Sequence, residues 1–113
     1  LRQVFKCQAA GIKRSRIAVD PGFGFGKNLE QNVQMLRELA MLHCTGCNLL
    51  VGVSRKSFLG TIINETEAEG RLSASVAASL SALSQGAQSH RVHDVKQIRQ
   101  AFTVCDRINF GLI

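Results

Sequence analysis

The run Leu49-Leu50-Val51-Gly52-Val53 carries no polar side chain. A strand with water on one face alternates apolar and polar residues, whereas an unbroken apolar run suits a strand covered on both faces, as in parallel sheets flanked by helices. The rest of the chain repeats that strand-then-helix pattern. Residues 2–10 read as the end of a helix, stopped by Gly11. Ile17-Ala18-Val19 is a short apolar run cut off at Asp20-Pro21-Gly22, a strand with a sharp stop. Asn28 and Gln31 form a capping-box pattern at a helix start. Val33, Leu36, Leu39 and Ala40 follow as one apolar stripe at helical spacing.

After the second strand come the polar residues Ser54-Arg55-Lys56 and a short helix near 58–63. Thr66 and Glu69 form a second capping-box pattern, opening a helix of small residues over about 67–85 that ends at Gly86. A third strand is expected over about 88–93. Asp94 then caps a last helix, with Gln97 at the capping-box position and Val95, Ile98, Phe102 and Cys105 as its buried stripe. The order α-βα-βα-βα predicts a parallel sheet with helices packed on it. Three such strands leave both sheet edges open and one face poorly covered. The expected fold class is therefore α/β, a partial TIM (β/α)8 barrel. Residues 1–113 would be a C-terminal part of a single barrel domain of about 250 residues.

Composition narrows the function classes. The formal net charge is +6, from 14 Lys+Arg against 8 Asp+Glu. The basic residues are dispersed, and aromatic content is 5% with no Trp or Tyr, which is a poor supply of stacking platforms, so nucleic acid is not an expected partner. No apolar run approaches the roughly 18 residues that span a bilayer, and the charged start has no signal-peptide core. The expectation is a cytoplasmic protein without a membrane partner. Cys44 and Cys47 form a CxxC, but it closes a helix and precedes a strand, the wrong side for a redox site. Only His43 is near as a further zinc ligand, so reduced thiols are expected.

The polar residues cluster where strands end. The first strand runs into Asp20-Pro21-Gly22-Phe23-Gly24-Phe25-Gly26-Lys27, the second into Ser54-Arg55-Lys56-Ser57, the third into Arg91-Val92-His93-Asp94. In a barrel these ends converge on one mouth, where active sites are built. The glycine segment is neither common phosphate loop. Counting back from Gly26 meets Pro21 where a P-loop needs glycine, and no GxGxxG is completed.

DPGFGFGK at 20–27 is similar to the signature loop of the dihydropteroate synthases. SRKS at 54–57, preceded by Leu50-Val51-Gly52, resembles the family's next signature, and RVHDV at 91–95 its last. All three stand in family order and spacing, which makes the strands the sixth, seventh and eighth of the barrel. The resemblance implies condensation of 6-hydroxymethyl-7,8-dihydropterin diphosphate with p-aminobenzoate, releasing pyrophosphate, in folate biosynthesis. It also implies Mg2+ as cofactor, with its protein ligand outside this chain, sulfonamides as competitors, and a homodimer in the intact enzyme.

Roles follow at matching positions. Asp20 would accept from the pterin's amino and ring N–H groups, a two-donor edge that suits a carboxylate. Its plain alternative is a turn aspartate. Lys56 would donate to the pterin carbonyl and ring nitrogen. Ser54 and Ser57, near the start of a short helix, would meet the carboxylate of p-aminobenzoate, or simply cap that helix. Phe25 would line the p-aminobenzoate pocket, and Lys27 reach ligand or solvent. Arg91 and His93 share a strand parity and would stabilise charge on the departing diphosphate. Asp94 is left to its cap.

The third strand departs from the family it resembles, in which its start is usually aliphatic. Here it reads Gln88-Ser89-His90, and parity sends His90 toward the helix layer, where it needs a partner. Other readings are a pterin-binding methyltransferase domain, and a non-catalytic remnant or assembly module using the small-residue helix as a contact.

Overall fold

The structure is a computed structural model, and it describes residues 1–111. Helix α1 (Arg2–Ala9) leads through Gly11, in the left-handed region at φ +95°, to strand β1 (Ala18–Val19). Helix α2 (Leu29–Arg37) and a 3-10 segment (Leu39–Thr45) return to strand β2 (Asn48–Val51). Then come α3 (Ser57–Ile63), α4 (Leu72–Ser84), strand β3 (Ser89–His90) and α5 (Val95–Phe110). The sheet order is β1-β2-β3, both pairings are parallel, and Ala18 pairs with Asn48 and Leu50 with Ser89. The expected strand-helix alternation is therefore present, with shorter strands than the sequence suggested. Bonds from Gln88 N to Leu49 O (3.2 Å) and Arg91 N to Val51 O (2.9 Å) extend the last ladder at both ends.

The apolar run of β2 splits by parity. Leu49, Val51 and Val53 are buried and pack with Phe58, Leu59, Ala78 and Ala82 under the helices. Leu50 and Gly52 point the other way, are only half-buried, and line a pocket instead. Burial on both faces, expected from the sequence, is thus complete on one face. Helix α4 lies close to this core because its inward stripe is Ser75, Ala78, Ser79 and Ala82. Along the free edge of β1 runs a mostly apolar groove of about 590 Å³, lined by Val4, Cys7, Val19, Met35 and Leu42 among others.

The capping predictions divide. Asn28 and Gln31 form the full reciprocal box, at 2.8 and 3.0 Å. The Thr66/Glu69 box is absent. Residues 68–71 form a 3-10 turn and α4 starts at Leu72 without a side-chain cap. Arg71 satisfies that region by donating to the carbonyls of Glu65, Thr66 and Arg55. Asp94 holds the N-cap position of α5 but makes no capping bond, because its carboxylate is taken by Arg55. Two stripe residues are also corrected: Ala40 and Val95 are exposed. Ala40 falls in the 3-10 segment, where the helical spacing no longer applies. Among the described residues the four cysteines are free thiols, and no helix is long and apolar enough to cross a membrane.

Candidate active site

One charged residue from each strand end reaches a common pocket, whereas Ser54, Ser57 and His93 are not among its lining residues. Asp20 from β1, Lys56 after β2 and Arg91 after β3 line one pocket of about 330 Å³, with Phe25 on its rim and Leu50 and Gly52 as its floor. Arg91 Cβ lies 3.8 Å from where a side chain on Gly52 would begin, so glycine leaves this floor open. The larger groove beside β1 shares only Asp20 with this cluster.

The glycine loop is held down at several points. Phe23 is buried and stacks on Phe58, ring centroids 6.1 Å apart. Asp20 Oδ1 accepts from Gly22 N at 2.8 Å, so one carboxylate oxygen is spent on the turn while the side chain still borders the pocket. Lys27 turns back on its own loop, donating to Gly22 O at 2.9 Å and Phe25 O at 3.2 Å, rather than reaching outward. Phe25 stays exposed at 72%, with Lys56 Nζ 4.4 Å from its ring centroid. An ammonium over an aromatic face is attracted to it, so the two side chains form one wall of the pocket.

Sequence reasoning missed Asn32. It is 2% exposed on α2, accepts from Gly24 N at 2.8 Å and donates to Asn28 O at 3.0 Å. The signal was available: an asparagine three residues after Leu29 and four before Leu36 sits on the helix's inward face.

The turn after β2 is built around Arg55, a non-glycine residue at φ +58°. Its N–H donates to Ser75 Oγ (2.8 Å), its carbonyl accepts from Arg71 (2.8 Å), and its guanidinium holds Asp94. The bond from Arg55 keeps the Asp94 carboxyl below its ordinary range, and the arginine is raised in turn. This over-determined turn aims Lys56 into the pocket and leaves Ser57 exposed as the first residue of α3. Ser54 is different: it is 3% exposed, and its hydroxyl meets His93 Nδ1 at 3.0 Å and His93 N at 3.2 Å. His93 itself is exposed, as is Arg91. Neither serine caps α3, whose N-cap position is Lys56.

His90 points to the helix layer as parity required. Its ring meets Phe102 edge-on at 4.7 Å and its Nε2 lies 3.2 Å from Ala87 O, while buried Nδ1 has no partner. Burial lowers its pKa.

Comparison with known proteins places this geometry. The family model described as pterin binding enzyme matches residues 1–93. The dihydropteroate synthase of Escherichia coli strain K12 is 45% identical over 106 residues, which is 94% of this chain and 37% of that protein. The chain thus spans about 37% of the length of such curated relatives. The solved dihydropteroate synthase of Xanthomonas albilineans in complex with 7,8-dihydropteroate superposes with a TM-score of 0.94 at 40% identity, covering 96% of this chain and 42% of that one. The Yersinia pestis dihydropteroate synthase with a sulfonamide drug complex gives a TM-score of 0.90 at 44% identity, covering 95% and 38%. The fold is that of part of a TIM barrel, in three consecutive βα units.

Proposed function

Because this chain belongs to the family of pterin-binding enzymes, we propose that it forms the C-terminal part of a single barrel domain and one wall of a dihydropteroate synthase active site. The reaction joins 6-hydroxymethyl-7,8-dihydropterin diphosphate to p-aminobenzoate. The amine lone pair forms a C–N bond to the pterin methylene, the C–O bond to the diphosphate breaks, and pyrophosphate leaves with that electron pair. The amine nitrogen then loses a proton. The apolar groove along the free edge of β1 supports the domain reading, since a neighbouring unit would cover it.

The observation that carries the proposal is the single pocket shared by Asp20, Lys56 and Arg91, from three successive strand ends. Asp20 accepts from the pterin's paired donors, and Lys56 donates to its carbonyl and ring nitrogen. Arg91 and His93 face the diphosphate, where two donors stabilise the charge that grows as the C–O bond breaks. Phe25 lines the p-aminobenzoate side, with exposed Ser57 at the first turn of α3 near its carboxylate. Sulfonamides, which resemble p-aminobenzoate, compete there.

Among the described residues no three His, Cys, Asp or Glu side chains come together to hold a metal ion. The steps assigned to these residues are binding and charge stabilisation. The test is calorimetry of pterin binding to the full-length protein. Asp20→Ala and Lys56→Ala should each weaken it at least about tenfold, the loss of one charge-assisted contact. Unchanged affinity in either variant removes that residue from the site.

A further inference from the structure

We propose that Ser54 is a positioning residue for His93, fixing the neutral imidazole with its proton on Nε2. This rests on the reading of His93 as a donor to the leaving diphosphate.

A serine hydroxyl has one proton to give and two lone pairs. Ser54 Oγ accepts from the backbone N–H of His93 at 3.2 Å. The residue is 3% exposed, so its hydroxyl proton cannot go to bulk water. Among the described residues the acceptor within hydrogen-bonding distance is His93 Nδ1, at 3.0 Å. If Nδ1 carried the ring proton instead, Oγ would accept twice and its own proton would be buried without a partner, which is costly. The arrangement that satisfies every group has Ser54 donating to an unprotonated Nδ1. The ring proton then sits on Nε2, the nitrogen directed away from Ser54. The partner of one imidazole nitrogen sets the state of the other.

The contact is braced from both sides. Ser54 lies in the turn after β2, between buried Val53 and Arg55, whose backbone and guanidinium are bonded to Ser75, Arg71 and Asp94. His93 precedes Asp94, the partner of that guanidinium. The Arg55–Asp94 pair therefore keeps the two strand ends at the spacing the Ser54–His93 contact needs. This assigns Ser54 a place behind the histidine, in contrast to the direct contact with p-aminobenzoate expected from the sequence.

The test uses the full-length protein with 15N-labelled histidine, the His93 signals assigned by their loss in His93→Gln. Above the pH range of imidazole protonation, two-bond 1H–15N correlation should show a protonated Nε2 and an unprotonated, hydrogen-bonded Nδ1. Ser54→Ala should move both shifts toward tautomer-averaged values, and Ser54→Thr should restore them. A protonated Nδ1 in the unaltered protein, or shifts untouched by Ser54→Ala, overturns the proposal. Turnover separates it from the reading beneath. Ser54→Ala should lower kcat by about tenfold, less than removal of an oxyanion donor outright, with KM for p-aminobenzoate unchanged. A raised KM at constant kcat would instead assign Ser54 to that substrate, against the proposal. Shifts that move as expected beside an unchanged kcat support the tautomer lock and remove His93 from the chemistry. If Ser54→Ala does not fold, His93→Gln should retain more kcat than His93→Asn, because only the longer amide places an N–H near the Nε2 position. The reverse order overturns the proposal.

Discussion

Arg55 and Asp94 are joined at two points, Nη2 to Oδ1 at 2.9 Å and Nε to Oδ2 at 3.3 Å, and so tie the turn after β2 to the start of α5. The pair offsets two local costs. Arg55 sits at φ +58°, a conformation that a side chain with a Cβ disfavours. Asp94 forgoes the capping bond its position offers. Both residues are partly exposed, at 29% and 17%. The gain is a fixed relation between two strand ends that each carry site residues.

Asp94→Asn in the full-length protein should lower Tm and weaken pterin binding, because the turn that aims Lys56 loses its partner. The bond from Arg55 depresses the Asp94 carboxyl below its ordinary 3.8. A carboxylate with a depressed folded pKa contributes stability above its unfolded value and loses it as pH falls through the folded one. The Tm gap between the two proteins should therefore be full at neutral pH and close as pH drops through and below 3.8. A gap that persists unchanged in acid would assign the effect to something other than this ion pair.

The parallel α/β order and the clustering at strand ends were legible because both rest on local patterns. The continuous run at β2, the Asn28/Gln31 box and the polar clusters after each apolar run needed no partner to be read. What escaped were choices between competing bonds. Asp94 has a capping pattern in sequence, yet Arg55, 39 residues away, takes its carboxylate. Thr66 and Glu69 fit a box that Arg71 makes unnecessary by reaching three carbonyls. Asn32 is hidden in a stripe whose other members are apolar, although a buried amide is what a glycine loop with free N–H groups needs. Strand lengths failed for a related reason, since a ladder ends where the neighbour's backbone turns away.

His90 should make stability pH-dependent near neutrality. Burial lowers its pKa from the ordinary 6.5, so the unfolded chain takes up a proton before the folded one does. Stability is then full above 6.5 and falls as pH drops below it. His90→Leu should flatten that slope. It should also stabilise the protein by about 1 kcal/mol at neutral pH, the low end of the penalty for a buried unpaired polar atom, because the ring is only half-buried. Denaturant melts of both proteins across that range would show it, and parallel pH profiles would refute it.

Gly24→Ala should weaken binding as well as folding. Gly24 lies at φ +82°, and an added Cβ would stand 3.2 Å from Lys56 Cδ. The backbone cost is about 1–2 kcal/mol. The close approach requires the Lys56 stem to give by a few tenths of an ångström, which shifts its ammonium within the pocket and against the Phe25 face. Calorimetry should find pterin affinity reduced, by less than on removal of the lysine contact itself. An unaltered pterin Kd beside a lowered Tm would mean that the lysine adjusts freely.

Asn32→Ala removes the acceptor for Gly24 N and the donor to Asn28 O from a site that is 2% exposed. Two lost hydrogen bonds and an orphaned Gly24 N–H should cost about 2 kcal/mol. The loop's other anchors, Phe23 on Phe58 and Lys27 on its own carbonyls, remain. The loosening should centre on Gly24, next to Phe25, whose carbonyl Lys27 still holds. KM for p-aminobenzoate should rise while pterin affinity, which depends on Asp20 and Lys56, changes little. Hydrogen exchange at Gly24 should accelerate more than at Leu49 in the central strand. If the two amides speed up together, Asn32 supports the whole fold rather than this loop, and the selective rise in KM should then be absent.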